Sequence, residues 1–331
     1  MKELEGIVRT LLANDVDGSV LATLVQVEGS SYRRPGARLL LTDDGRRVGS
    51  ISGGCLEEDV TTRARRVART GEAEAVVYDT TSENDLVWGV GLGCHGVVRV
   101  LIERLPPKPA WAIALAENFA AGRATELAVV HRSTVASELG SRLGSPRTAK
   151  DASGVFFETV PPPTEFLIFG AGDDAQPLAR FAHELGWRVT IADPRPAFAT
   201  PQRFPVADRF VVGPAAELAA KISPPAGALA VVMTHHYVHD VPLLRTLLPR
   251  PLAYLGLLGP KKRAERILAD LEKENFSIST EQRDRLHAPV GLDIGANTPE
   301  QVALAIVAEI QTVLGRRDAR PLRERAGPIH V

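Results

Sequence analysis

A glycine turn after a short apolar strand constrains the fold of this chain more than any other feature. Apolar residues 166–169 precede Gly170 and Gly172, and residues 175–185 have the apolar spacing of an amphipathic helix. Such a turn lets the backbone approach a phosphate, whose charge then lies at the helix N-terminus. Asp193 ends the next apolar run, where a carboxylate can accept hydrogen bonds from the hydroxyls of a ribose. The pattern predicts a Rossmann-type domain with a cofactor-binding turn.

The rest of the second half alternates short apolar runs with helical stretches. Residues 188–192, 210–212, 229–233 and 253–257 are predicted strands. This alternation indicates a parallel sheet with right-handed connections. An alternative for the turn glycines is that they only pack the helix closely on the sheet.

Two acidic residues follow the turn glycines directly. Asp173 and Asp174 place negative charge where a pyrophosphate would bind. They disfavour such a ligand unless they point away from it.

Consecutive prolines mark the domain boundary. Pro161, Pro162 and Pro163 fix φ and remove amide donors, so neither a helix nor a central strand runs through them. A chain of 331 residues is also long for one average domain. We predict domains over residues 1–160 and 161–315, followed by a flexible tail, 316–331, that lacks apolar periodicity.

Composition excludes several classes of function. The formal net charge of −1 provides no overall basic surface for nucleic acid. No apolar run reaches the roughly 18 residues that span a bilayer. Cys55 and Cys94 are too few and too far apart for a disulfide framework or a CxxC zinc site. We expect a cytoplasmic protein with neither nucleic acid nor membrane as partner.

The first half is predicted to be an α+β domain. A helix is expected over residues 3–14, a strand over 20–25, and a hairpin of 38–42 with 47–51 around an Asp-Asp-Gly turn. A second helix is suggested from residue 56. The prolines around residues 106–109 divide this half into the glycine-rich part and a small part made of helix and strand.

Both cysteines lie in glycine-rich loops. Gly53 and Gly54 precede Cys55, and Gly93 precedes Cys94. Glycines leave backbone amides free to stabilise an anion such as a thiolate. If Cys55 starts the following helix, the helix dipole lowers its pKa further and makes it a nucleophile or a soft-metal ligand. The alternative for each is a small buried thiol beside turn glycines.

A third loop combines hydroxyls with guanidinium groups. Ser30, Ser31, Arg33 and Arg34 stand close together in a predicted turn. This composition suits a phosphate or a carboxylate. A solvated loop is the alternative.

Together these motifs resemble the XdhC/CoxI family of xanthine dehydrogenase accessory proteins. The likeness covers nearly the whole chain and keeps the order of the motifs. The segments that carry it are 29–38, 49–57, 91–96, 169–172, 254–263 and 287–300.

The resemblance implies a protein that binds the molybdenum cofactor, molybdopterin. It also implies exchange of a molybdenum oxo ligand for sulfur with a cysteine desulfurase, and delivery to a xanthine dehydrogenase-type molybdenum hydroxylase. We expect Cys55 and Cys94 to be the catalytic residues and molybdenum ligands, because a dithiolene-bound molybdenum is a soft centre. The serine and arginine turn and the glycine amides would hold phosphate and pterin.

The chain departs from the family pattern at several histidines. His95 replaces a common glycine and is either a base or incidental. His235 and His239 stand four apart, so a shared helical face would suit metal ligands.

The last segment that carries the resemblance contains two further candidates. His287 and Asp293 are predicted to reach the crevice at the strand ends, or else to satisfy loop backbone groups. The final helix has apolar positions that face either a core or a second subunit, and we expect a homodimer.

Two other functions remain open. An NAD-dependent oxidoreductase would use the glycine turn for NAD or another nucleotide. A scaffold that binds no cofactor would only dock a desulfurase and a target enzyme.

Overall fold

The computed structural model describes residues 1–13, 18–79, 96–146 and 153–326. The chain divides into two compact units, Met1–Pro162 and Pro163–Val331. Cys94, Gly93 and His95 lie outside the described residues, so the predictions made for them stay predictions.

The first unit opens with an antiparallel sheet and its helices. In chain order the elements are α1 (Lys2–Ala13), β1 (Val20–Gly29), β2 (Arg38–Leu41), β3 (Arg47–Gly49), α2 (Glu57–Thr70), β4 (Glu74–Asp79) and β5 (Gly96–Arg104). The strands pair in the order β3-β2-β1-β5-β4, which confirms the predicted hairpin of β2 and β3. Val60, Ala64 and Val67 of α2 are buried in the core with side chains of this sheet.

A second, smaller sheet completes this unit. Its elements are α3 (Ala110–Ala120), β6 (Thr125–Val130), β7 (Gly140–Leu143) and β8 (Val155–Val160), with a short 3-10 helix, Ala136–Glu138, before β7. The strands are antiparallel in the order β7-β6-β8. Trp111 and Leu115 of α3 pack in one core cluster with Leu127 of β6 and with apolar residues of α1.

The second unit alternates strands and helices as predicted. The elements are β9 (Glu165–Phe169), α4 (Ala175–Glu184), β10 (Arg188–Asp193), β11 (Arg209–Val212), α5 (Ala215–Ile222), β12 (Leu229–Val232), α6 (Tyr237–Leu247), β13 (Tyr254–Leu257), α7 (Lys261–Lys273), α8 (Thr280–Asp284), β14 (Leu286–His287) and α9 (Pro299–Gly315).

The sheet of this unit is parallel throughout the described pairs. Its strand order is β11-β10-β9-β12-β13-β14. Numbered within the unit, this is the order 3-2-1-4-5-6 of the dinucleotide-binding fold, which confirms the Rossmann-type prediction. The strand order reverses between β9 and β12, and ligands of open α/β sheets bind at the carboxyl ends of strands at such a point.

The final helix packs on the core of the second unit. The Thr298 hydroxyl accepts a hydrogen bond from the Gln301 amide, and the Gln301 side chain accepts one from Thr298 in return. Ile306 and Ile310 are buried in the core, and Val302 packs against it. Of the two environments expected for this face, the structure therefore shows the core.

None of the helices in the described part of the chain combines the length and apolar character needed to cross a membrane.

Candidate functional site

The structure brings two loops of the first unit together with the start of β5. Gly29 of β1 pairs with Gly96 of β5, and a Cβ on Gly96 would lie only 2.3 Å from the carbonyl oxygen of Ser30. A Cβ on Gly53 would lie 3.6 Å from the Tyr32 ring. The serine and arginine loop after β1 therefore contacts the glycine loop before α2 and the start of β5. We call residues 50–56 the Cys55 loop.

The Glu57 carboxylate holds the Cys55 loop in shape. One oxygen accepts hydrogen bonds from the Ser50 hydroxyl (2.9 Å) and from the amides of Ile51 (3.3 Å) and Ser52 (2.8 Å). The other accepts from the Ser52 hydroxyl and from the Gly54 amide (3.1 Å). One buried carboxylate thus satisfies three loop amides and two hydroxyls.

The same contacts keep Glu57 ionised. Burial would raise the pKa of this carboxyl, but the hydrogen bonds from Ser52 and Ser50 outweigh burial and hold the pKa below its usual range. A charged acceptor makes stronger hydrogen bonds than a neutral one. Sequence analysis assigned no role to Glu57, although an acid in the first turn of a helix after a glycine loop is a signal for this arrangement.

Cys55 is presented on the outside of this loop. Its side chain is exposed and carries a free thiol, and Sγ lies 3.6 Å from the Ser52 hydroxyl oxygen. Gly53 and Gly54 are exposed beside it. The helix begins only at Glu57, so Cys55 precedes the helix that sequence analysis suggested it would start. The alternative of a buried thiol is wrong for Cys55.

One arginine of the loop after β1 forms an ion pair within the protein. Arg33 pairs through both terminal nitrogens with the two oxygens of Glu3 in α1, at 3.0 Å for Nη1 and Oε1. Ser30 and Arg34 are exposed, and Ser31 is half-buried. An anion at this loop would therefore compete with Glu3 for Arg33.

In the second unit, the glycine turn is tied to the ends of its neighbouring strands. A Cβ on Gly170 would lie 2.5 Å from the Met233 carbonyl oxygen, so only glycine allows this approach to the end of β12. Buried Asp193 accepts a hydrogen bond from the Ala171 amide at 2.7 Å. It also accepts three from Arg195, through the backbone amide, Nε and Nη2. Both carboxylate oxygens predicted to bind ribose are thus engaged internally.

The acids after the turn are paired with an arginine and a histidine. Asp173 accepts from Arg203 at 2.9 Å, and Asp174 lies 2.7 Å from His235 Nε2. His235 has a positive φ of 59° and precedes α6, whereas His239 lies within α6. The shared helical face predicted for these histidines is therefore wrong. Among the described residues, no group of three potential ligands is placed to hold a metal ion.

A buried ion pair joins α6 to the start of α7 and also holds the loop after β12. The Asp240 carboxylate accepts from the Thr234 hydroxyl at 2.5 Å and from Arg263 Nη2. Burial raises the pKa of Asp240, while Thr234 and Arg263 counteract that rise. Sequence analysis noted the segment of Arg263 as a family motif and residues 234–240 as a departure from the family pattern, without foreseeing that this pair links them.

The two candidates near the C-terminus lie in different surroundings. The His287 ring stacks on Tyr254 with centroids 4.4 Å apart, and its Nδ1 lies 3.3 Å from Glu309. Glu309 also accepts from the Gly291 amide at 2.9 Å. Asp293 is exposed. The His287 ring thus contacts the side chains of Tyr254 and Glu309 rather than loop backbone groups, and its binding role stays a prediction.

We expect Glu57→Gln to loosen the Cys55 loop. The glutamine side chain is neutral, and its NH2 group would face the hydrogen-bond donors of the loop instead of accepting from them. Hydrogen bonds to charged groups contribute about 1.5–3 kcal/mol, so the amides of Ile51, Ser52 and Gly54 should lose protection from hydrogen exchange by about tenfold or more. Hydrogen exchange measures this. Because the folded pKa of Glu57 is lowered, its stabilisation is present above the ordinary glutamate range and is lost as pH falls through that lowered pKa.

Glu58→Gln, at the exposed neighbouring position, is the matched control and should leave these amides protected. Equal protection in wild type and Glu57→Gln would contradict the role of the carboxylate.

Arg263→Ala should destabilise the second unit by about 3–5 kcal/mol, because it leaves Asp240 charged and buried without its partner. Urea denaturation measures the loss, and adding Asp240→Asn should recover part of it. Arg266→Ala on the same helix removes an exposed arginine and should cost less than about 1 kcal/mol. An equal loss of unfolding free energy in the two single variants would show that the ion pair between Asp240 and Arg263 does not hold α6 and α7 together.

Comparison with known proteins identifies the family. A model of the XdhC and CoxI family matches residues 13–79, and one described as the XdhC Rossmann domain matches residues 166–310. The chain is 34% identical over 319 residues to a probable xanthine dehydrogenase subunit of Bacillus subtilis (strain 168), covering 90% of this chain and 94% of that protein.

Two further proteins are similar over most of their length. One is the molybdenum cofactor insertion chaperone PaoD of Escherichia coli (strain K12), 24% identical over 307 residues, with 89% of this chain and 83% of that protein covered. The other is a crystal structure of a protein named as a xanthine dehydrogenase from Bacillus halodurans, with a TM-score of 0.82, 33% identity, and 96% and 97% of the two chains covered. The chain belongs to the XdhC and CoxI family.

Proposed function

We propose that this protein is an accessory factor that binds the molybdenum cofactor and assists its maturation and insertion into a molybdenum hydroxylase of the xanthine dehydrogenase type. Its relatives include a molybdenum cofactor insertion chaperone and a probable xanthine dehydrogenase subunit. The observation that carries the proposal is the exposed Cys55 thiol on a loop that is organised in advance by Glu57.

The residues around Cys55 fit the chemistry of this cofactor. A thiolate is a soft ligand and suits molybdenum bound by dithiolene sulfur better than a carboxylate does. Exposed Ser30 and Arg34 lie in the adjoining loop, where a hydroxyl and a guanidinium would hold the phosphate. Exposed Gly53 and Gly54 leave room for the pterin to approach the backbone.

The proposal includes a sulfuration step with a cysteine desulfurase as the source of sulfur. The Cys55 thiolate attacks the outer sulfur of the desulfurase persulfide, which forms a persulfide on Cys55 and releases the desulfurase cysteine as a thiolate, so that the step needs no further oxidant. Cys94, two residues before Gly96 in the sequence, shares this acceptor role. The exposure of Cys55 supports this, because a sulfur-donating partner must reach the thiol directly.

Cys55→Ala, Cys55→Ser and Cys94→Ala, purified from a host that makes the cofactor, should retain about tenfold less molybdenum and pterin, which corresponds to about 1.4 kcal/mol of lost affinity. Metal analysis and pterin fluorescence measure both. Thr62→Ala, at an exposed position on α2, is the control with unchanged retention.

Unchanged molybdenum in both alanine variants and in the double variant would overturn cofactor binding by the cysteines. Normal retention together with loss of cyanide-releasable sulfur on the co-expressed hydroxylase would place the cysteines in sulfur transfer alone.

A further inference from the structure

A pocket of about 760 Å³ lies in the first unit, away from the Cys55 loop in sequence. It is formed where the ends of β6, β7 and β8 meet the edge strand β4. His131, Arg132 and Arg142 line it together with apolar Ala75, Val130 and Leu139. None of these residues belongs to a motif that carries the proposed function.

His131 is a buried polar group that faces this pocket without a partner. Its side chain belongs to a residue only 7% exposed, and within the described part of the chain its buried Nδ1 has no hydrogen-bond partner. Buried polar atoms in folded proteins nearly always have a partner, from the protein, a water or a ligand. Nδ1 itself has almost no accessible surface, so its unmet capacity marks a polar site within the pocket wall, behind the groups that a ligand would meet first.

Positive charge dominates around His131. Burial first, and then the charges of Arg99 and Arg132, lower the pKa of His131. Arg99 lies on β5, and its Nε is buried without a partner among the described residues. Arg142 on β7 adds a further guanidinium to the lining.

One acid also lines the pocket. Glu138, from the short 3-10 helix, accepts a hydrogen bond from the Ser133 hydroxyl at 2.5 Å. Two guanidinium groups, those of Arg132 and Arg142, thus line the pocket against one carboxylate that is already engaged, and the lining favours an anion.

The backbone fixes the position of these groups. The amides of His131 and Arg132 both donate to the Gly154 carbonyl, at 2.9 and 3.1 Å. Gly154 has a φ of +82°, and a Cβ there would lie 2.5 Å from Arg132 Cβ. Only glycine fits at this position just before β8, and its carbonyl holds His131 and Arg132 side by side at the pocket wall.

We propose that this pocket binds an organic phosphate monoester, with the phosphate between His131, Arg132 and Arg142. Guanidinium groups match phosphate oxygens in geometry and charge. The volume lies in the range of small-molecule sites and exceeds what a bare phosphate fills, and Ala75, Val130 and Leu139 offer apolar contact to the organic part. This inference goes beyond the proposed function and does not depend on it.

The test uses the full chain made without molybdenum cofactor, so that its outcome is independent of cofactor binding. Phenyl phosphate, inorganic phosphate and phenol are titrated by calorimetry. Phenyl phosphate should bind more tightly than either part. Arg132→Gln and Arg142→Gln should each weaken it about tenfold, because a charge-assisted hydrogen bond is lost. Both arginines are exposed, so the variants should fold.

Arg65→Gln, an exposed arginine on α2, is the matched control and should bind normally. The ring NMR signals of His131 provide a second readout, since a bound dianion should raise its pKa. Binding that is absent, or unaffected by Arg132→Gln and Arg142→Gln, would overturn the site. Equal affinity for phenyl phosphate and inorganic phosphate would overturn the organic ligand.

Discussion

The acceptor capacity of a single carboxylate, Glu57, determines how the first unit presents its thiol. Five donors of residues 50–54 converge on its two oxygens. Such a loop has little regular secondary structure of its own, so its shape depends on this buried charge. Cys55 is exposed because the donors around it are turned inwards to Glu57 and Ser52. A preorganised loop loses less conformational entropy when it binds a ligand.

The second unit illustrates that a fold does not determine a function. Its strand order and glycine turn are those of dinucleotide-binding domains. Yet Asp193 is engaged by Ala171 and Arg195, and Asp174 by His235. The polar groups at the carboxyl ends of β9, β10 and β12 are thus used to connect loops. The chemistry of the proposed function rests instead on the first unit.

Sequence patterns predicted five of the six strands of the second unit, because buried parallel strands appear as continuous apolar runs bounded by glycine and proline. They did not predict long-range partners such as Arg38 with Glu158, at 2.7 Å, because charge pairing between distant segments has no local signal. The two-residue strand β14 was missed for the same reason, since its pairing with β13 is set by tertiary contacts. His235 was misplaced because a positive φ in a non-glycine residue is not encoded in spacing.

The central claim is that the cofactor binds against the Cys55 loop. The most direct measurement is the rate at which iodoacetamide alkylates Cys55, followed by mass spectrometry in cofactor-free and cofactor-loaded protein. Bound cofactor at this loop should slow alkylation of Cys55 strongly, whereas exposure of the protein to NAD should leave the rate unchanged. Equal alkylation rates with and without bound cofactor would contradict the account.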